Sequence, residues 1–156
     1  MTYSQNNLDN YLNVQIVVNN LNDKYYFPDL PQLRDAKIQG ISFYPKLSTT
    51  NNLDVNNVPL MDITNAKKSF LTLYSGDVQK IQNLPLLKMK NLWVQETNGG
   101  GAPADFNNQK VGNFEGIFVT NDLVIDFSKS YVSLASNQAI TQTLPISINF
   151  GIYYKK

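Results

Sequence analysis

The side chains that most often do chemistry are missing or scattered in this chain. It has no His and no Cys. Their absence removes the commonest general base, the commonest metal ligand, any thiolate nucleophile and any disulfide framework. Triads built on His or Cys are therefore excluded by composition. A Ser–Lys pair is the remaining route to an activated hydroxyl, and Ser69 beside Lys68 and Ser130 beside Lys129 are the candidates. Neighbours on a strand point to opposite faces, so each pair reads as a surface Ser next to a solvated Lys. Glycoside hydrolysis needs two converging carboxylates. Only Glu96 and Glu115 accompany the ten Asp, and Glu115 in FEGIFV reads as the outward residue of an alternating strand.

Metal and phosphate chemistry find no better footing. The Asp-x-Asp-x-Asp-Gly pattern of a calcium loop is absent. Its nearest substitute is Asp122 with Asp126, four apart on one strand face, and a turn plus a surface pair with Lys129 explains them as well. The Gly-rich run at 98–104 (NGGGAPA) precedes no Gly-Lys-Ser/Thr and opens no helix, so it reads as a hairpin loop that could adapt to a neighbouring subunit. No catalytic residue, metal ligand or cofactor is assigned, and the chain is expected not to be an enzyme. Aromatic residues carry the one functional signal, because exposed Tyr and Trp anchor interfaces and stack on sugars. The candidates are Tyr25 and Tyr26, of which at least one must point outward, the single Trp93, and Tyr153, opposite the apolar face of the last strand.

The elements that would position these residues are strands. Leu12, Val14, Ile16 and Val18 alternate with Asn13 and Gln15, the period of a half-buried strand. Tyr25, Tyr26 and Phe27 form a short strand stopped by Pro28 and Pro31. Residues 36–44 (AKIQGISFY) read as a long strand with Ile41 and Phe43 on one face and Ile38 and Tyr44 on the other. Residues 46–62 form a long connection in which Val55, Val58 and Leu60 are expected at the edge of the core, and residues 65–68 a single helical turn. FLTLY at 70–74 is a strand closed by Ser75, Gly76 and Asp77, and residues 78–89, interrupted by Pro85, an edge or bent strand. Leu92, Trp93 and Val94 extend the sheet, and 97–110 is a loop. A strand at 114–119 with a bulge at Gly116 is followed by a turn at Asn121 and Asp122, a strand at 123–127 and another at 131–134. The last strand is the clearest, with Ile146, Ile148, Phe150, Ile152 and Tyr154 on one face.

About eight short strands at such spacing predict an all-β domain of two packed sheets, with a single jelly roll favoured by the strand number. The 156 residues make one domain at 11–156 behind a polar N-terminal arm at 1–10. Polarity comes from amides, 21 Asn and 10 Gln, more than from the 25 charged residues, and Asn favours turns over helices. A net charge of +1 offers no footprint for nucleic acid or an anionic membrane. No apolar run approaches the ~20 residues of a membrane-spanning helix. The start MTYSQNNLDN lacks the features of a signal peptide, so synthesis in a cytoplasm without one is expected.

Four segments in order, LRDAKIQGISFY, KSFLTLYSGDVQKIQNLPLLKM, NDLVIDFSKSYVSL and LPISINFGIYYKK, carry a family likeness over roughly residues 33–156. The chain resembles the small jelly-roll capsid proteins of tailless, icosahedral, membrane-containing phages of Bacteroidota. The resemblance rests on strand texture and segment order. It implies a penton or minor capsid protein of the virion, forming a homo-oligomeric ring, a pentamer, at the five-fold vertices. Its partners would be the major capsid protein and a spike protein. A carbohydrate-binding or adhesin-type β-sandwich using Trp93 and exposed Tyr is the alternative that the same composition suits.

Overall fold

A computed structural model describes residues 10–46, 52–90 and 117–156. The strands are β1 (Asn10–Val18), β2 (Lys24–Tyr26), β3 (Lys37–Tyr44), β4 (Ser69–Ser75), β5 (Val78–Pro85), β6 (Ile117–Val124), β7 (Tyr131–Leu134) and β8 (Ile146–Lys155). One helical turn, α1 (Ile63–Ala66), precedes β4, and 3₁₀ turns lie at Pro31–Leu33 and Leu86–Met89. Asp62 caps α1 by accepting the Asn65 N–H at 2.9 Å.

Two four-stranded sheets result, ordered β1-β8-β3-β6 and β2-β7-β4-β5, and every strand pairing is antiparallel. The first strand lies beside the last, the second beside the seventh, the third beside the sixth and the fourth beside the fifth. A long antiparallel ribbon rolled across two sheets gives this order, so the domain is a single jelly roll.

The core lies between the sheets. Ile146, Ile148, Phe150 and Ile152 of β8 are wholly buried, as period-two alternation requires, and Val14, Ile16 and Val18 of β1 lie beside them. Phe150 meets Phe43 of β3 at 5.9 Å between ring centroids and Phe27, just beyond β2 of the other sheet, at 5.4 Å. Phe27 meets Phe127 edge-on at 5.0 Å. These rings tie the two sheets together at the middle of the sandwich.

Three local expectations fail for identifiable reasons. Ile38 shares the buried face of Ile41 and Phe43 rather than opposing it, because the register slips between Ile38 and Gly40 and one residue drops out of the alternation. Asn121 and Asp122 do not reverse the chain. Both adopt left-handed φ, 53° and 62°, inside a continuous β6, where they form the bulge facing that slip. The Thr120 hydroxyl donates to the Ile38 carbonyl across it. Val55 is 74% exposed. Asp54 takes the buried place instead, its Oδ1 accepting the N–H groups of Asn56 and Val58 and folding the turn that throws Val55 outward. Asn10 pairs with Tyr154 at the start of β1; residues 1–9 of the expected arm, the 97–110 loop and Gly116 lie outside the described residues.

Candidate functional site

The outward face of the first sheet gathers the aromatic and amide side chains. Alternation places Tyr11 of β1 opposite Tyr153 of β8 and puts Tyr44 of β3 on the same face. Between the two outer strands lies Gly151 of β8, and its missing side chain is what lets the rings lie down. A Cβ there would sit 2.7 Å from both Cε1 and the hydroxyl of Tyr11 and 2.9 Å from Cε2 of Tyr44. Rings from β1 and β3 thus meet over the strand that separates them. The Tyr11 hydroxyl donates to that of Tyr44 at 3.2 Å, and the rings of Tyr11 and Tyr153 are 5.0 Å apart at 55°.

An amide row continues this face. Asn13 Nδ2 donates to the Phe150 carbonyl at 3.1 Å. Gln15 Nε2 donates to Asn13 Oδ1 and, at 3.2 Å, to Asn149 Oδ1. Val17, 43% exposed, ends the row, as Tyr11, 45% exposed, begins it. The face is uncharged from Tyr11 to Val17 and can offer ring surface and amide hydrogen bonds.

Two phenols of this cluster, Tyr44 and Tyr153, resist ionisation. Burial first, then the hydrogen bond and charge interaction with Tyr11 and the contact with Tyr153, hold Tyr44 far above the ordinary phenol range. Burial, then Tyr11, also raises Tyr153. The fold therefore favours the neutral phenols. Their stabilisation is complete below the unfolded-state value of about 10 and declines as pH rises above it. Denaturant melts at increasing alkaline pH should show stability falling, and Tyr44→Phe should make that fall shallower. An unchanged slope in the variant would remove Tyr44 as its source.

The other predicted residues are dispersed. Tyr25 is buried, its hydroxyl accepting the Asn22 N–H at 2.9 Å, so it is a core residue. Tyr26 points outward, 51% exposed, edge-on to Tyr131 at 5.6 Å, with Lys24 Nζ 4.6 Å from the Tyr131 ring centre. Tyr26 belongs to the second sheet and Tyr153 to the first, so the structure does not bring them together. Trp93, Glu96 and Glu115 lie outside the described residues. Tyr11 and Tyr44 escaped the sequence reading, although a Gly in the middle of the clearest strand is a signal of close approach.

The Ser–Lys candidates resolve as structural hydroxyls. Ser69 Oγ donates to the Asn65 carbonyl at 2.8 Å, and Ser130 Oγ donates to the Asp126 carbonyl while accepting the Tyr74 N–H. Lys129 pairs with exposed Asp77 and lies 4.0 Å from Asp126. A cleft of about 460 Å³ between Pro28, Leu33, Gly76 and Phe127 carries three carboxylates, Asp29, Asp35 and Asp126. Asp29 is bound to Arg34 at 3.0 Å, and Asp126 Oδ1 accepts from the backbone and hydroxyl of Ser128. Two of the three are thus engaged locally. Among the described residues no group of three Asp or Glu is placed to hold a metal ion, and no helix is long and apolar enough to cross a membrane.

What the fold and this face define is a jelly-roll domain with an uncharged aromatic and amide surface on one sheet. Comparison with protein-family models, with curated proteins and with solved structures yields no match.

Proposed function

We propose that this chain is a non-enzymatic virion structural protein, a penton or minor capsid protein that forms a symmetric ring, a pentamer, at the vertices of an icosahedral shell. The observation that carries this reading is the strand order. Rolling eight strands into β1-β8-β3-β6 over β2-β7-β4-β5 is the architecture used by viral capsid domains. The segments LRDAKIQGISFY, KSFLTLYSGDVQKIQNLPLLKM, NDLVIDFSKSYVSL and LPISINFGIYYKK cover β3, β4 with β5, the end of β6 with β7, and β8. A surface polar through amides rather than charges favours close subunit contact without large costs of desolvating ions. The partners in this reading are further copies, the major capsid protein and a spike protein, and the location is the virion.

Native mass spectrometry with class averages of the purified chain tests it. A five-fold ring, and recovery of the chain from purified particles, are expected. A chain that lacks rings at every concentration and is missing from particles would overturn the reading.

One observation favours a carbohydrate-binding reading as the second. Tyrosine rings lie beside an uncharged amide row, the chemistry that stacks on sugar rings and bonds their hydroxyls. In that case a neutral glycan would shift the side-chain amide resonances of Asn13, Gln15 and Asn149 in a monomer, and Tyr11→Ala would abolish the shift. No shift across a glycan panel rejects it.

A further inference from the structure

Among the described residues the two sheets end on four edge strands, and three of them carry features that hinder the addition of another strand. β2 is only three residues long, carries Lys24 and leads into Pro28. β5 carries Lys80, slips register twice against β4, has Asn83 at φ 54° and stops at Pro85. β6 carries the left-handed bulge at Asn121 and Asp122. Short length, lysine, proline and bulges are the usual means of blocking edge-to-edge association. β1 has none of them. Its nine residues, NYLNVQIVV, contain no charge, Pro or Gly, no positive φ, and pair with β8 without a slip from Asn10↔Tyr154 to Val18↔Ile146.

The direction of its free backbone groups follows from β8. Ser147 lies between Val17 on one side and Leu60 on the other. Its N–H donates to the Pro59 carbonyl at 2.7 Å and its carbonyl accepts the Met61 N–H at 2.9 Å, so both groups turn away from β1. Antiparallel strands alternate these directions residue by residue. The even residues of β8 therefore bond the even residues of β1 opposite them. The N–H and C=O groups of Tyr11, Asn13, Gln15 and Val17 face the open edge.

We infer that β1 pairs with β1 of a second copy, antiparallel about a two-fold axis through Val14, joining the two first sheets into one. The strand is a polarity palindrome about that residue. Tyr11 falls opposite Val17 of the second copy, Leu12 opposite Ile16, Asn13 opposite Gln15, and Val14 opposite itself. These four positions match in chemistry and in face, and only the end pair, Asn10 opposite Val18, differs in polarity. The residues whose backbone groups face the edge pair with one another, giving about eight new hydrogen bonds from four donors and four acceptors on each copy. The two exposed apolar residues of β1, Tyr11 and Val17, cover each other as an aromatic–β-branched pair. Like charges at both 13 and 15 would face each other twice across the axis and oppose this contact, whereas Asn13 and Gln15 are neutral; such an isologous contact needs a self-complementary patch. The inference is independent of the vertex assignment, since a two-fold contact can link rings or form without them.

A charge-exchange experiment tests it. Asn13→Lys with Gln15→Lys sets lysine against lysine twice across the axis, and Asn13→Glu with Gln15→Glu does the same with carboxylates. In native mass spectrometry and sedimentation, wild type should show a concentration-dependent two-fold species. Each double variant alone should lose it, and an equimolar mixture should restore it as the heterodimer. The restoration also demonstrates that both variants are folded. Hydrogen exchange on wild type gives a second reading that needs no variant: the amides of Tyr11, Asn13, Gln15 and Val17 should gain protection as concentration rises, while that of Val14 does not change. Wild type without a two-fold species, variants that associate as wild type does, or edge amides indifferent to concentration would each overturn the inference. Rings of five are read separately in the same spectra, so loss of the β1 contact and loss of the vertex assembly are distinguishable.

Discussion

Replacing Phe150 by Ala should lower the unfolding free energy by about 3–5 kcal/mol, the range for truncating a buried aromatic side chain. Phe150 is wholly buried at the middle of β8, opposite Val14 of β1 and Phe43 of β3. Its ring also reaches Phe27, which belongs to the segment after β2 and packs on Phe127. The cavity would therefore open between the sheets, where neither can close it without moving the other. A domain of this size has about 5–15 kcal/mol of stability in all, so the variant would lose a large share. Val55→Ala, at an exposed position in the connection before α1, should stay within about 0.5 kcal/mol and serves as the control. Denaturant titrations of both variants make the measurement. A loss from Phe150→Ala no larger than the control's would mean that the aromatic layer does not join the sheets.

The strands with strict alternation were legible because each needs only its own residues. β1 and β8 show their buried faces in the sequence, and outward placement of Tyr153 and one of Tyr25 and Tyr26 followed from the same rule. What stayed hidden depends on a second strand. The slip that returns Ile38 to the core is matched by two left-handed residues on β6, more than eighty positions along the chain. The Asn121–Asp122 signal was correctly local, since both residues do adopt positive φ, but the same backbone choice serves a bulge or a reversal according to what pairs with it. The tyrosine cluster was illegible for the same reason. Tyr11, Tyr44 and Gly151 come from three strands, and nothing in one segment says that β8 lies between β1 and β3. Strand order separates a jelly roll from other sandwiches, and it is written in long-range register rather than in composition.

Asn65→Asp should be the most damaging single-atom change in the described structure, and its damage should vanish in acid. Asn65 is wholly buried and acts as a hub. Its Oδ1 accepts the Thr141 N–H at 2.9 Å and the Thr141 hydroxyl at 3.3 Å, tying α1 to the segment that leads into β8. Its Nδ2 donates to Asp62 Oδ1 at 2.8 Å. Asp at this position keeps the shape but turns that donor into a second carboxylate oxygen facing Asp62. A wholly buried carboxylate then faces the half-buried one of Asp62 with no ion pair among the described residues to offset it, and an uncompensated buried charge costs about 3–5 kcal/mol. Burial and the like charge would both raise the new carboxyl group's pKa in the folded state above its unfolded value of about 3.9. The sign follows directly. Below about pH 3.9 the group is protonated in both states, its O–H can replace the lost N–H donor, and the variant should be nearly as stable as wild type. As pH rises above that value, the unfolded chain ionises first and the deficit grows until the folded-state pKa is passed. Unfolding free energies of both proteins from acid to neutral pH should therefore diverge with rising pH. A pH-independent difference would mean that the Asn65 contact with Asp62 does not hold α1 in place.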